Sequence, residues 1–200
     1  SEIINKINSG LPATVKLVAV SKFHPFEAIE EAYAAGQRIF AESRPQELQA
    51  KVRQLEAERP DMSDVQWHFI GHLQTNKLKM VLPYVSLVQS VDSVRLLDAI
   101  ESWAAANDRR ISVLLEPHVA AEQTKQGFSE DEIYSILKSA CAGAYANICF
   151  RGIMGMSTFT DDVAVIRSDF SILRNIYDRC VADFRTITTL QLNMDRRWCV

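Results

Sequence analysis

The amino-acid sequence predicts an α/β fold, namely a single-domain TIM-type (β/α) barrel. Apolar strands alternate with amphipathic helices along the chain, a rhythm typical of right-handed βαβ units and a mainly parallel sheet. The loop after the first strand, AVSKFHP, contains no glycine, which argues against a doubly wound sheet with a glycine-rich phosphate loop. Chemistry-bearing residues follow several strands, as in a barrel: Lys22, Ser43, the turn after His68, and Met154 to Ser157.

Length and composition fit one soluble domain over residues 1–200. The chain has 48% hydrophobic and 24% charged residues, with no apolar run long enough to span a membrane and no basic-then-apolar leader. We therefore expect a cytoplasmic protein without a membrane partner. A net charge of −3 argues against a broad nucleic-acid surface, which requires clustered Lys and Arg.

Neither the cysteines nor the histidines indicate a metal site. The four cysteines show no Cys-x-x-Cys spacing, so reduced thiols are expected. His68 and His72 are four residues apart, but the strand that carries His68 turns at Gly71, so the two would not share a helical face.

The first part of the chain predicts two strands and two helices. VKLVAV, residues 15–20, is nearly continuous in aliphatic residues, as expected of a strand buried on both faces. PFEAIEEAYAAGQ predicts a helix with Pro25 near its start and Gly36 at its C-cap. RIFAES is the second strand, and Ser43 with Gln46 predicts a capping box before the next helix.

That helix, PQELQAKVRQLEAE, has a predicted buried stripe of Leu48, Val52 and Leu55. The charges in KVRQLEAERP alternate in sign, which predicts that they form a solvated face. VQWHFIGH then predicts the third strand.

The middle of the chain repeats the pattern. TNKLKMVLP is a short helix, VSLVQSV the fourth strand, and SVRLLDAIESWAAAN a helix with Val94, Leu97 and Ile100 facing inward. RISVLLEPHV is the fifth strand. Ser129 and Glu132 predict a capping box that opens the helix EDEIYSILKSACAG.

The last predicted elements leave the barrel one strand short. ICFRGIMGM is the sixth strand, DDVAVIRSDFSILRNIYDRCV a helix and TITTLQLNM the seventh strand. The sequence stops soon afterwards, at Val200, so we expect the eighth strand to be missing or replaced. We expect a monomer or a weak dimer, since the unpaired strand edges of an opened barrel favour dimerisation or aggregation.

Lys22 at a strand end has a specific chemical use. A lysine amine that loses its proton through desolvation condenses with a carbonyl to form a Schiff base. Two interpretations fit the spacing equally well: a lysine bound to pyridoxal phosphate (PLP), or a Schiff-base aldolase that acts on a sugar phosphate.

Six strings in order resemble the pyridoxal phosphate homeostasis protein family: VKLVAVSKFHP, AGQRIFAESRPQEL, WHFIGHLQTNK, SVDS, TKQGF and RGIMGMSTFTDD. The resemblance implies a TIM-like barrel similar to the N-terminal domain of alanine racemase. It also implies PLP as cofactor, bound to Lys22 as an internal aldimine. The implied cofactor-binding residues are Lys22, Ser43, His68, Met154, Ser157 and Asn193.

Some of these residues keep a second interpretation. His68 lies under the PLP ring or is a hydrogen-bonded barrel histidine. Met154 packs against the ring or fills the core, and Ser157 donates to the phosphate or serves ordinary turn chemistry.

The sequence departs from the family pattern at two places in the implied pocket. Ser43 stands in Ala41-Glu42-Ser43 where the family usually has the amide of G-E-N, and a hydroxyl still donates one hydrogen bond. The stretch Leu190 to Asp195 replaces L-S-M-G-M-S, and Asp195 would bring a like charge toward the phosphate. With the family's eighth strand also lacking, we expect weakened PLP binding.

The resemblance implies a carrier or regulator of PLP, with PLP-dependent apo-enzymes as possible recipients and no established catalytic turnover. Two alternatives stay open at this point. One is a small racemase-like PLP or Schiff-base enzyme, and the other is a cofactor-free derivative that acts as a binding module.

Overall fold

The computed structural model describes residues 2–119 and 127–193, which form two compact units. The first unit comprises residues up to 72 together with 76–87, and the second comprises 73–75 and the chain from 88 onward. Within each unit, parallel strands follow chain order and alternate with helices. The described residues form seven strands, as the sequence predicts.

The first unit contains three strands and four helices. Its elements are α1 (Glu2–Gly10), β1 (Ala19–Val20), α2 (Phe26–Ala34), β2 (Ile39–Glu42), α3 (Pro45–Glu58), β3 (Gln66–Phe69) and α4 (Leu78–Val81), with short 3-10 turns at Pro60–Met62 and at Thr75–Lys77, whose first residue belongs to the second unit. β2 pairs in parallel with both β1 and β3. The core includes Phe40, Leu48 and Phe69, each 1% exposed or less, and full burial of such a side chain contributes about 1.5–3 kcal/mol.

The predicted first strand is wrong in length and burial. β1 comprises two residues, and Val15 and Val20 are 48% and 41% exposed. Among the described residues β1 pairs only with β2, so the strand has one open edge. An aliphatic run therefore does not by itself guarantee burial, because burial also requires partners on both sides.

The helix ends of the first unit confirm one prediction and correct another. Gly36 follows α2 with φ +92° and donates its N–H to the Tyr33 carbonyl, as expected of a residue beyond a C-cap. The Ser43 capping box is wrong. α3 begins at Pro45, which is favoured at the first helical position, so the N-cap is Arg44, whose side chain makes no capping bond.

The second unit contains four strands and three helices. Its elements are β4 (Leu87–Val91, whose first residue belongs to the first unit), α5 (Val94–Ala106), β5 (Ile111–Leu115), α6 (Glu130–Cys141), β6 (Ile148–Met156), α7 (Val163–Asp183) and β7 (Thr189–Asn193). Successive strands from β4 to β7 pair in parallel. α5 contacts β5 and β6, and α7 contacts β6 and β7.

The helices of the second unit largely match their sequence signals. The capping box of α6 is present: Ser129 Oγ accepts from the Glu132 N–H, and the Glu132 carboxylate accepts from the Ser129 N–H. Leu97 and Ile100 are fully buried, but Val94 is 43% exposed. At that end of α5 the neighbouring Leu96 fills the core instead.

Within the described ranges, no helix has both the length and the apolar character needed to cross a membrane. The single domain over residues 1–200 stays a prediction.

Candidate functional site

Three of the sequence-predicted site residues lie at the carboxyl edge of the sheet in the first unit. Lys22 follows β1, Ser43 follows β2, and His68 lies near the end of β3. The parallel register places Val20 opposite Ala41, and Ala41 opposite His68. Since the carboxyl ends of parallel strands share one edge, the fold places these three residues at the same edge of the sheet.

Lys22 presents an available amine. The side chain is half-buried, and among the described residues none hydrogen-bonds or forms an ion pair with its ammonium group. Lysines are almost never fully buried in proteins unless they are paired, and Lys22 is only half-buried. An amine without a partner can be offered to a ligand without first breaking an existing bond.

Ser43 is half-buried at the end of β2, and its hydroxyl makes no hydrogen bond with the residues that the structure describes. Its backbone lies against Gly71: a Cβ at position 71 would be 2.0 Å from the Ser43 carbonyl oxygen. Only glycine allows this approach. Gly71 therefore fixes where the Ser43 backbone lies.

His68 is 8% exposed, and burial lowers the pKa of its imidazole to about 4. The cause is loss of hydration, which disfavours the charged form. At pH 7 the imidazole is therefore neutral. Both of the roles that the sequence suggested for His68 are compatible with a neutral ring.

A buried charged network lies beside Lys22, and the sequence interpretation missed it. Glu42, which is fully buried, accepts hydrogen bonds from Ser21 Oγ at 2.7 Å and from Lys51 Nζ at 2.6 Å. Lys51 Nζ also donates to the Ser21 carbonyl at 2.6 Å. The second oxygen of Glu42, Oε2, has no partner among the described residues.

The prediction that the charges of α3 are all solvated is thus wrong for Lys51, which is 8% exposed. A signal for its burial was present in the sequence. Leu48, Lys51, Val52 and Leu55 follow the i, i+3, i+4, i+7 spacing of one helix face. A charge on such a face requires a buried partner of opposite sign, and Glu42 ends an otherwise apolar strand.

The loop after Lys22 is held in an uncommon backbone conformation. Phe23 has φ +64°, a region that few residues other than glycine adopt. Its N–H donates to Glu47 Oε2 at 3.1 Å, and the Arg44 guanidinium lies 4.5 Å from the centre of its ring. Strained conformations of this kind are concentrated at functional sites.

The other predicted site residues lie at the carboxyl ends of β6 and β7 in the second unit. Met154 and Ser157 are buried, at 3% and 4% exposed. Asn193 pairs in register with Met156. The side chain of Asn193 lies outside the described part of the structure. Residues 194–200 also lie outside it, so the predicted effect of Asp195 stays a prediction. The same holds for residues 124–126 of TKQGF.

The turn after β6 carries hydroxyl groups. The Ser157 hydroxyl makes no hydrogen bond within the described part of the chain. The Thr158 N–H donates a hydrogen bond to Asp169 Oδ2 at 2.7 Å, whereas Thr158 Oγ1 is buried without a partner among the described residues. This turn therefore offers hydroxyl groups, whereas the Thr158 N–H is already bonded.

Comparison with known proteins identifies the family. A family model described as alanine racemase, N-terminal domain, matches residues 3–192. The pyridoxal phosphate homeostasis protein of Vibrio alginolyticus is 31% identical over 183 residues, which cover 92% of this chain and 77% of that protein. This chain belongs to the pyridoxal phosphate homeostasis protein family. The human protein of that name is 34% identical over 171 residues, covering 80% of this chain and 60% of its own length.

Solved structures of similar proteins confirm the fold of this chain. PipY of Synechococcus elongatus PCC7942, solved without PLP, is 31% identical with a TM-score of 0.84, covering 94% of this chain and 86% of PipY. PipY has also been solved with PLP bound, at a TM-score of 0.82 and 30% identity over the same shares of the two chains. Alanine racemase of Clostridium difficile, 14% identical, has a TM-score of 0.68 over 95% of this chain and 48% of the racemase, which shows the fold alone. The predicted TIM-type α/β class, with seven strands described, is thereby confirmed.

Proposed function

We propose that this chain binds pyridoxal 5'-phosphate, holds it covalently on Lys22, and serves in intracellular PLP homeostasis as a carrier or regulator. Family membership and the PLP-bound PipY structure support this proposal. The observation that carries it is the Lys22 amine at the carboxyl edge of β1, which has no hydrogen-bond or ion-pair partner among the described residues. When bound, PLP supplies an aldehyde carbon to which an amine nitrogen bonds while the aldehyde oxygen leaves as water.

The residues of the first unit fit this cofactor. The Lys22 amine is available, and the Ser43 hydroxyl is free to donate a hydrogen bond within the described residues. His68 is neutral at pH 7 because burial lowers its pKa to about 4. It can therefore lie against an aromatic ring without adding a charge.

In the second unit, the turn after β6 carries hydroxyl groups of the kind that bind a phosphate. Ser157 and Thr158 present hydroxyls that the described residues leave unbonded, and one of them, Thr158 Oγ1, is a buried oxygen without a partner. Hydrogen bonds from neutral donors to a phosphate are charge-assisted and stronger than neutral pairs. Met154 and Asn193 complete the proposed set of cofactor-binding residues.

The proposal extends to the setting of the protein. It acts in the cytoplasm as one domain over residues 1–200, as a monomer or weak dimer, and passes PLP to PLP-dependent apo-enzymes. A carrier needs an amine that binds the cofactor reversibly, and Lys22, whose amine has no bond to any residue that the structure describes, meets this need.

The test is covalent capture of PLP. The protein is incubated with PLP, desalted, examined by absorbance, reduced with borohydride and analysed by peptide mass spectrometry. We expect a retained visible band and a reduced PLP adduct on Lys22. Lys22→Ala should lose both, whereas Lys16→Ala, which removes an exposed lysine of the same segment, should keep them.

Two outcomes would contradict the proposal. Adducts spread over surface lysines would indicate non-specific reaction of an aldehyde with amines. A folded protein that retains no chromophore would instead favour a family relative without the cofactor.

A further inference from the structure

Ser21, the residue before Lys22, makes a hydrogen bond with each of its polar groups: the backbone N–H, the backbone carbonyl and the side-chain hydroxyl. Its N–H donates to the Ala41 carbonyl at 3.0 Å, and its hydroxyl donates to Glu42 Oε1 at 2.7 Å. Its carbonyl accepts from Lys51 Nζ at 2.6 Å and from the His24 N–H at 3.0 Å. Ser21 therefore has almost no freedom to rotate or shift.

Lys51 links this strand end to α3. Its Nζ forms an ion pair with Glu42 Oε1 at 2.6 Å, with side-chain exposures of 11% and 0%. The same ammonium binds the Ser21 carbonyl, so one buried cation joins strand β2, helix α3 and the loop. We call Ser21, Glu42 and Lys51 the buried clamp.

α3 also holds the far side of Lys22. Glu47 accepts the Phe23 N–H and forms an ion pair with Arg44 at 3.2 Å. The backbone of Lys22 is thus fixed on both sides by side chains of α3 and its N-cap, while the Lys22 amine has no bond among the described residues. The fold therefore fixes the backbone of Lys22 and leaves its amine available for a ligand.

Stability alone does not account for the clamp. Replacing a buried ion pair by apolar residues of similar volume is often neutral or stabilising. Glu42 Oε2 is also buried without a described partner, and a network shaped only by stability would satisfy it. A buried pair that fixes one backbone position is expected where geometry matters, as in preorganised sites.

We propose that Glu42 and Lys51 are positioning residues, which hold the Ser21–Lys22 backbone so that the Lys22 amine meets the PLP aldehyde in one orientation. The inference rests on the proposed function for the identity of the ligand. The order of the loop itself does not depend on the ligand.

The test compares two matched variants of the first unit. Lys51→Met removes the two buried hydrogen bonds and the charge at the carboxyl ends of β1 and β2. Gln37→Met removes two hydrogen bonds of another buried side chain near the other ends of the same strands, where Gln37 Nε2 donates to the Leu17 and Ile39 carbonyls at 2.9 and 2.6 Å. Both variants should lose stability to urea.

Only Lys51→Met should change the site. We expect hydrogen exchange at the Phe23 and His24 amides to rise at least tenfold in Lys51→Met without cofactor and to stay at the wild-type rate in Gln37→Met. The rate of borohydride-trapped PLP loading on Lys22 should fall at least tenfold in Lys51→Met alone. Ser21→Ala, which removes one hydroxyl and keeps the ion pair, should give a smaller effect in the same direction if Lys51→Met fails to fold.

Equal changes in Lys51→Met and Gln37→Met, or no change at Phe23 and His24 in any clamp variant, would overturn the positioning role. Wild-type protein that takes up no PLP while showing the expected exchange pattern would overturn the proposed function and leave the clamp supported. The two failures are therefore distinguishable.

Discussion

The two ends of the three-stranded sheet in the first unit are held together in different ways. Near the amino ends, the amide of Gln37 binds the Leu17 and Ile39 carbonyls. Nearby, Arg38 forms an ion pair with Asp64 at 2.7 Å, with both side chains more than a third exposed. One of these contacts involves a neutral side chain, and the other is an ion pair exposed to solvent.

The carboxyl ends contain buried charge and constrained backbone. Glu42 and Lys51 form a buried ion pair, Phe23 adopts a left-handed conformation, and Gly71 lies against the carbonyl of Ser43. The buried ion pair and the left-handed Phe23 are costly in isolation and persist only where the surrounding structure fixes them. The difference indicates that the interactions at the end bearing Lys22 fix backbone positions, whereas those at the opposite end only stabilise the fold.

The largest effect is expected from Gly71→Ala. The added Cβ would lie 2.0 Å from the Ser43 carbonyl oxygen and 2.7 Å from its carbon, and backbone atoms cannot yield as a flexible side chain can. The free energy of unfolding should fall by about 3 kcal/mol or more, measured by urea denaturation.

Gly10→Ala is the control for Gly71→Ala, because a Cβ at position 10 meets no atom within 4 Å. It should leave stability unchanged or slightly raised, since alanine is the better helix former. If Gly71→Ala were as stable as Gly10→Ala, the carboxyl end would not be constrained as described.

A second, smaller effect concerns pH. The folded pKa of His68 is about 4, below the value near 6.5 of an unfolded histidine, so on acidification the unfolded chain takes up the proton first. The stability that His68 provides is therefore present above pH 6.5 and lost as the pH falls toward 4. Between pH 7 and pH 5 the loss should be about 2 kcal/mol.

Urea midpoints at pH 7, 6 and 5 measure this loss for the wild-type protein and for His68→Gln. The variant should lose the part of the pH dependence that comes from His68, and His24→Gln, at an exposed position, should keep the wild-type dependence. Identical profiles for the wild type and His68→Gln would show that His68 takes up its proton equally in both states.

The smallest effect is expected at the amino ends. The Tyr33 hydroxyl and then the Arg38 guanidinium lower the pKa of Asp64, but the carboxylate is exposed and water can replace both partners. Asp64→Asn should leave the urea midpoint at pH 7 within measurement error, because exposed ion pairs contribute little. A clear destabilisation by Asp64→Asn would remove the contrast between the two ends.

Much of the fold could be predicted because its signals are local. Three correctly predicted features each depend on residues a few positions apart: the capping box of Ser129 and Glu132, Gly36 after the end of α2, and the strand Ile148–Met156. The resemblance that pointed to Lys22 also rests on contiguous strings. By contrast, the Ser43 capping box failed because Pro45, two residues away, set the helix start.

The sequence by itself determined the alternation of strands and helices, the family, and the placement of Lys22 after the first strand, since these depend on short-range pattern. Tertiary structure alone decided that β1 is only partly buried, that Lys51 is buried against Glu42, and that Gly71 lies against Ser43. The physical reason is that burial and pairing depend on atoms from distant positions: Glu42 lies 21 residues after Ser21, and no local pattern specifies which neighbour will lie beside a charge.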